Sequence, residues 1–129
     1  MFYPYTRDTG ALQPWEEMPA KAGTYKAGQV LAVSGDVLAS RGAPMTTRPA
    51  YISMFSGTAI DNQVIPVIRV TERIVFKTEL TADVENLSIG SKLQVSAGGE
   101  GLDGTAEGAF EVTAFDGNTA GSVVYGRFV

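Results

Sequence analysis

The sequence predicts an all-β protein, either a small β-sandwich or a partly open β-barrel, with an extended N-terminal arm. Apolar and polar residues alternate through a long central run, which is the pattern of a half-buried strand. About seven to nine short strands follow one another at intervals of roughly 8–15 residues, separated by Gly, Asp and Asn turns. Helical periodicity is almost absent. The chain has 129 residues, the length of one domain.

Residues 64–80 form the central run. Its even positions carry the apolar residues Val64, Ile68, Val70, Ile74, Phe76 and Leu80. Its odd positions include Arg69, Thr71, Arg73, Lys77 and Glu79. Glu72 interrupts the apolar face, which indicates either a bulge that splits the run into two strands or a crossing between sheets. Pro66 lacks an N–H group, so we expect an edge or a starting point of a sheet there.

Shorter strands are predicted on both sides of this run. The segments are 30–33, 37–39, 50–55, 91–96, 109–115 and 122–129. We expect 30–33 and 37–39 to form a hairpin across the turn Ser34-Gly35-Asp36, and residues 54–55 to lie antiparallel to 64–70. Single helical turns are expected at 15–18 and within 81–90.

Residues 1–24 are predicted to be an extended arm, and residues 25–129 the β domain. Three prolines break the arm, which also contains the aromatic residues Phe2, Tyr3, Tyr5 and Trp15. Two interpretations stay open. The arm packs its rings on its own domain, or it docks on a partner, because Trp and Tyr are favoured interface anchors.

The composition argues against catalysis. The chain has no Cys and no His, so thiol nucleophiles, the usual general base and the commonest metal ligands are missing. We therefore expect no enzyme, no catalytic residues, no cofactor and no metal site. The net charge of −4 argues against non-specific nucleic-acid binding, which needs a basic surface. No apolar run approaches the ~20 residues of a membrane span, and the first residues lack the pattern of a signal peptide.

Two further features allow more than one interpretation. The Gly-rich stretch 96–104 lacks the helix and the Lys of a phosphate loop, so we expect a flexible hairpin tip or a contact with another copy of the chain. Arg69 and Arg73 lie on the polar face of the central run, with Lys77 beyond them. They form either a solvated strand face that resists edge aggregation or a positive patch that meets an acidic partner.

The order of segments resembles the small β-rich head-decoration and capsid-associated proteins of tailed phages and prophages. The resemblance is carried by the arm and by residues 25–31, 67–70, 74–78, 83–93 and 115–128, and it covers most of residues 20–129. The likeness lies in the residue types and the order of the segments, since no invariant motif marks this group. Such proteins bind the outside of an assembled icosahedral shell, often as trimers.

The resemblance implies a structural virion protein that is made in the host cytoplasm and decorates or stabilises the outer capsid surface. Its expected partners are the major capsid protein and other copies of itself, with a trimer favoured, and neither nucleic acid nor a membrane. Candidate capsid or subunit contacts are Phe2, Tyr3, Tyr5, Trp15, Arg69 and Arg73. Two alternatives remain: a tail or baseplate module, and a small-ligand or carbohydrate-binding β domain that uses Trp15 and nearby Tyr residues as stacking platforms.

Overall fold

This computed structural model describes residues 1–7, 14–40 and 42–129. These residues contain thirteen strands and one 3₁₀ turn, joined by turns and loops. The strands are β1 (Tyr3–Arg7), β2 (Glu16–Ala20), β3 (Gly23–Tyr25), β4 (Val30–Ser34), β5 (Val37–Ser40), β6 (Tyr51–Ser53), β7 (Gly57–Ala59), β8 (Gln63–Arg69), β9 (Ile74–Glu79), β10 (Lys92–Val95), β11 (Leu102–Glu107), β12 (Phe110–Phe115) and β13 (Val123–Phe128). The 3₁₀ turn is Ala97–Gly99. The all-β prediction is confirmed.

Five strands close into a small barrel in the order β2-β5-β4-β6-β8. The predicted β4–β5 hairpin is present. An antiparallel β6–β8 pair is present too, but it uses residues 51–53 and not the predicted residues 54–55, which follow the end of β6. Apolar side chains fill the barrel, and the two-stranded sheet β3-β7 adds Tyr25 and Ala59 to the same core. The Tyr25 hydroxyl donates to the Lys21 carbonyl at 2.5 Å, which satisfies its polar end.

A six-stranded sheet, in the order β1-β9-β13-β12-β10-β11, packs against the barrel. Its inner face contributes Phe76, Phe110 and Phe128, whose rings meet edge to face. The barrel contributes Val30 and Ile52 to the same cluster. The outer barrel wall and the inner sheet face therefore share one core, while the barrel interior forms a second.

The central run divides at the predicted place. β8 ends at Arg69 in the barrel, Glu72 lies in the exposed turn, and β9 begins at Ile74 in the six-stranded sheet. The run thus crosses between sheets, one of the two options that the sequence left open. The alternation within β8 differs from the prediction, because Val64 is exposed and Ile65 fills the barrel.

Pro66 lies inside β8 and not at a sheet edge. It is opposite Glu17 of β2, in the antiparallel β2–β8 pair of the barrel. β6 pairs with β8 only as far as Ser53, which is opposite Val67, and the Met54 N–H then donates to the Pro66 carbonyl at 2.9 Å. The missing N–H of Pro66 therefore lies just beyond the paired end of β6.

The described parts of residues 1–24 do not form an arm outside the domain. Residues 3–7 are β1, which pairs with β9, and residues 16–20 are β2, which closes the barrel against β8. The expected helical turn at 15–18 is instead the start of β2, and residues 81–90 form turns without a helix. Pro4 is tolerated because it lies on β1, the edge strand of its sheet among the described strands.

Candidate interaction surfaces

Phe2 lies in the core and not on a surface. Its side chain is 0% exposed, and its ring contacts those of Phe110 and Phe128 at centroid distances of 5.9 and 5.5 Å. Its N–H donates to the Gly28 carbonyl at 2.7 Å. Gly28 has a φ of +90°, and a Cβ there would lie 2.8 Å from the Met1 Cβ, so the glycine makes room for this approach. Phe2 is therefore a structural anchor, which differs from its predicted role as a partner contact.

Tyr3 and Tyr5 lie on β1 and are half exposed or more. Tyr3 is in register with Lys77 of β9, which is in turn opposite Tyr125 of β13. Tyr5 is the extra residue of a bulge, and its ring meets that of Tyr125 at 5.0 Å and 65°. The outer face of the six-stranded sheet, turned away from the barrel, therefore carries three tyrosines.

A shallow groove follows these rings and is called the tyrosine groove below. Its lining residues are Tyr5, Thr6, Val75, Thr113, Ala114 and Tyr125. The sequence analysis did not select Tyr125. Its position in the alternating strand β13, between the buried Val124 and Gly126, was the signal that could have placed it on the outer face.

Trp15 lies one residue before β2 and is 62% exposed. Beside it, β2 and β8 place Glu17 opposite Pro66 and Pro19 opposite Val64 on the outside of the barrel. Val64 is 53% exposed. These five residues are called the Trp15 wall. It combines the only tryptophan with prolines and one carboxylate, and the sequence analysis missed its Val64 by placing that residue on the buried face.

Arg69 is paired within the chain. Its guanidinium donates from Nε and from a terminal nitrogen to the two carboxylate oxygens of Glu16, both at 2.9 Å, and lies 5.1 Å from the Tyr51 ring centre. Hydrogen bonding to Arg69 lowers the pKa of Glu16, and the same bonds raise the pKa of Arg69. A partner that uses Arg69 has to compete with this bidentate pair.

Arg73 lies in the turn between β8 and β9, directly before the first residue of β9, whereas Arg69 is the last residue of β8. It lines a charged cleft together with Glu72, Glu111 and Arg127, and Thr6, Val75 and Val129 complete its walls. Thr6 and Val75 also line the tyrosine groove, so the two depressions are continuous. Because β8 and β9 belong to different sheets, Arg69, Arg73 and Lys77 do not form the single strand face that the sequence suggested.

The Gly-rich stretch is tied to the fold. The Gln29 amide donates to the Gly98 carbonyl at 3.0 Å, and a Cβ on Gly99 would lie 2.8 Å from the Val30 carbonyl oxygen. Glu100 accepts a hydrogen bond from Lys26 at 2.9 Å. Gly99 and Gly101 are buried, so this segment packs on the barrel and differs from the expected flexible tip.

A polar network fixes the strand that follows. Burial would raise the pKa of Asp103, but hydrogen bonds from the Gln94 amide and from Thr105 outweigh it and lower this pKa. The Gln94 nitrogen lies 2.6 Å from an Asp103 oxygen, and the Thr105 hydroxyl donates to the same oxygen at 2.8 Å. The network holds the irregular register between β10 and β11.

Within the described residues, no group of three or more acidic side chains is arranged to hold a metal ion. No helix there is long or apolar enough to cross a bilayer. A comparison with known protein families finds no matching family model, and a comparison with curated proteins finds no significantly similar sequence.

Proposed function

We propose that this protein is a structural virion protein that binds the outer surface of a tailed-phage capsid and decorates or stabilises it. It acts by binding and not by catalysis. Its proposed partners are the major capsid protein and other copies of itself, with a trimer favoured. The order of segments that resembles head-decoration proteins supports this proposal, and so does the all-β fold.

The exposed Trp15 is the observation that carries the proposal. A tryptophan buries a large apolar area when it enters an interface, and such residues dominate binding energies. On the Trp15 wall the ring lies immediately before β2, and the β2–β8 pair holds Val64 and two prolines on the outside of the barrel. The closed barrel begins at the next residue, Glu16, whose pairing with Val67 limits the conformational freedom of the chain that follows Trp15. We propose that this wall contacts the shell.

Many copies on one shell make a weak contact sufficient. A single wall of this kind offers only one large aromatic side chain and one exposed aliphatic side chain. Linked contacts to the shell and to neighbouring copies raise the overall affinity without any new interaction at each site. The Trp15 wall takes the place of the free N-terminal arm as the proposed shell contact, because β1 and β2 are parts of the sheets.

Co-sedimentation with empty, expanded capsids tests the proposal. We expect saturable binding by the full chain and a loss of at least about tenfold in affinity for Trp15→Ala, as for an interface hot spot. Tyr125 lies on the six-stranded sheet and not on the barrel, so Tyr125→Ala is the matched control and should bind as well as the unaltered chain. Absence of binding by the unaltered chain would overturn the proposal.

The site of binding on the particle separates this function from its nearest alternative. Immunolabelled microscopy of virions should place the protein on heads. Labelling confined to tails would replace the proposal with a tail or baseplate role. Deletion of residues 1–24 is unsuitable as a test, because it removes Phe2 and a barrel strand and should unfold the domain.

A further inference from the structure

The outer face of the six-stranded sheet carries a second surface that the proposed capsid contact does not use. The tyrosine groove and the charged cleft share Thr6 and Val75 and run on into each other. Their volumes are about 460 and 640 Å³, within the range of roughly 300–1,000 Å³ that is usual for ligand sites. They form one open, elongated depression with an aromatic end and a polar end.

The aromatic end forms a corner. The rings of Tyr5 and Tyr125 meet at 65°, so one ring forms a wall and the other a floor. Tyr5 is 59% exposed, so water contacts most of its surface. Such a corner can receive the apolar C–H face of a ring-shaped ligand while the phenol hydroxyls remain available as donors and acceptors.

The polar end balances acids against bases. Glu111 of β12 is directly opposite Arg127 of β13, and the same cleft contains Glu72 and Arg73. Among the described side chains of this end, the two carboxylates and the two guanidinium groups balance one another, on a chain whose net charge is −4. A polyanion such as nucleic acid or an acidic peptide gains no net attraction there.

We infer that this depression binds a neutral polysaccharide chain, with one hexose ring stacked in the Tyr5–Tyr125 corner and its neighbour hydrogen-bonded by Glu111 and Arg127. A hexose has an apolar face and a rim of hydroxyl groups that both donate and accept. A carboxylate can accept from such hydroxyls and a guanidinium can donate to them in a planar, forked geometry. An open depression with an aromatic and a polar part can hold successive rings of a polymer. This inference does not depend on capsid binding, which is proposed for the Trp15 wall.

Affinity electrophoresis in gels that contain one neutral polymer each tests the inference. The probes are an α-1,4-glucan, a β-1,4-glucan and a soluble β-1,4-linked N-acetylglucosamine polymer. We expect at least one of them to retard the unaltered chain, and calorimetry with its oligosaccharides to give a measurable dissociation constant. Tyr125→Ala and Glu111→Gln should each weaken that binding at least tenfold, with unchanged thermal unfolding midpoints.

Trp15→Ala is the control and should bind the polymer like the unaltered chain. Failure of all three neutral polymers to retard the protein would overturn the inference, and so would equal binding by the Tyr5→Ala, Tyr125→Ala double variant. A third contrary result is self-association that Tyr125→Ala abolishes, because the depression would then be a protein interface. If the unaltered chain binds the polymer but does not bind capsids, only the proposed function is contradicted.

Discussion

Phe2 and Trp15 are both aromatic residues of the first 24 positions, yet the fold uses them in opposite ways. Phe2 is completely buried among the rings of Phe110 and Phe128, and Trp15 is left mostly in water on the outside of the barrel. The difference arises from what lies opposite each residue. Phe2 enters the core that the sheet and the barrel share, whereas Trp15 lies beside a barrel wall whose outer residues Glu17 and Val64 are exposed among the described residues.

This contrast separates residues that maintain the fold from residues that are available to a partner. Exposure of a large aromatic ring contributes little to folding, which leaves the ring available to a partner, and tryptophan is enriched among the residues that dominate binding energies. Burial of a ring among other rings contributes to stability directly. Substitutions at buried and exposed positions should therefore change different measurements.

Ile74→Asp should have the largest effect. Ile74 is 1% exposed at the start of β9, and a carboxylate there would be buried among apolar side chains without a partner. We expect no cooperative unfolding transition and a far-ultraviolet circular dichroism spectrum of a disordered chain. A folded Ile74→Asp protein would show that this side of the core is not packed as described.

Phe2→Ala should have the next largest effect. Removing a buried aromatic ring costs about 3–5 kcal/mol of unfolding free energy. The matched variant Tyr3→Ala, next to it on the exposed face, should change the unfolding free energy by less than about 1 kcal/mol. Denaturant unfolding of both variants measures the difference. Equal losses of unfolding free energy would contradict the burial of Phe2 and the exposure of Tyr3.

Acidification should destabilise the fold by protonating Asp103, and this effect should be smaller than that of Ile74→Asp or Phe2→Ala. Because hydrogen bonds lower its pKa in the folded state, the ionised carboxylate stabilises the protein above its ordinary pKa of about 4. This stability is lost as the pH falls through the lowered folded pKa. Asp103→Asn should therefore be less stable at about pH 7 and should lose less on acidification to about pH 3. Parallel pH profiles of the melting temperature would contradict this.

Glu72→Val should have the smallest effect on stability. Glu72 is exposed in the turn between β8 and β9 and contributes to neither core, so we expect a change within about 0.5 kcal/mol and unaltered capsid binding. Denaturant unfolding and co-sedimentation measure the two quantities. A larger loss would mean that the turn itself, and not only the residues after it, determines the crossing between sheets.

The sequence was sufficient to predict the strand class and most strand positions, because alternation and turn residues are local signals. It also located the break at Glu72. It could not place Val64 outside and Ile65 inside, because β8 separates two cores and is buried on both faces at Val67 and Ile68. Both faces of this strand therefore carry buried apolar residues, which a single alternating pattern does not describe.

The candidate surfaces were harder to predict than the fold. Burial of Phe2 and exposure of Trp15 depend on pairing with strands more than 50 residues away, β9 and β8 respectively. The tyrosine groove joins Tyr5 to Tyr125, from opposite ends of the chain. Arg69 looked available from its polar strand face, but its partner Glu16 comes from another strand. Such long-range neighbours leave no local pattern.

Hydroxyl-radical footprinting on the capsid-bound protein tests the central claim most directly. The chain has a single tryptophan, so the oxidation of Trp15 can be followed by mass spectrometry in the presence of shell protein. We expect binding to empty, expanded capsids to slow the oxidation of Trp15 strongly while Tyr125 reacts as in the free protein. Equal oxidation of Trp15 in the free and bound states would contradict the proposal that the Trp15 wall contacts the shell.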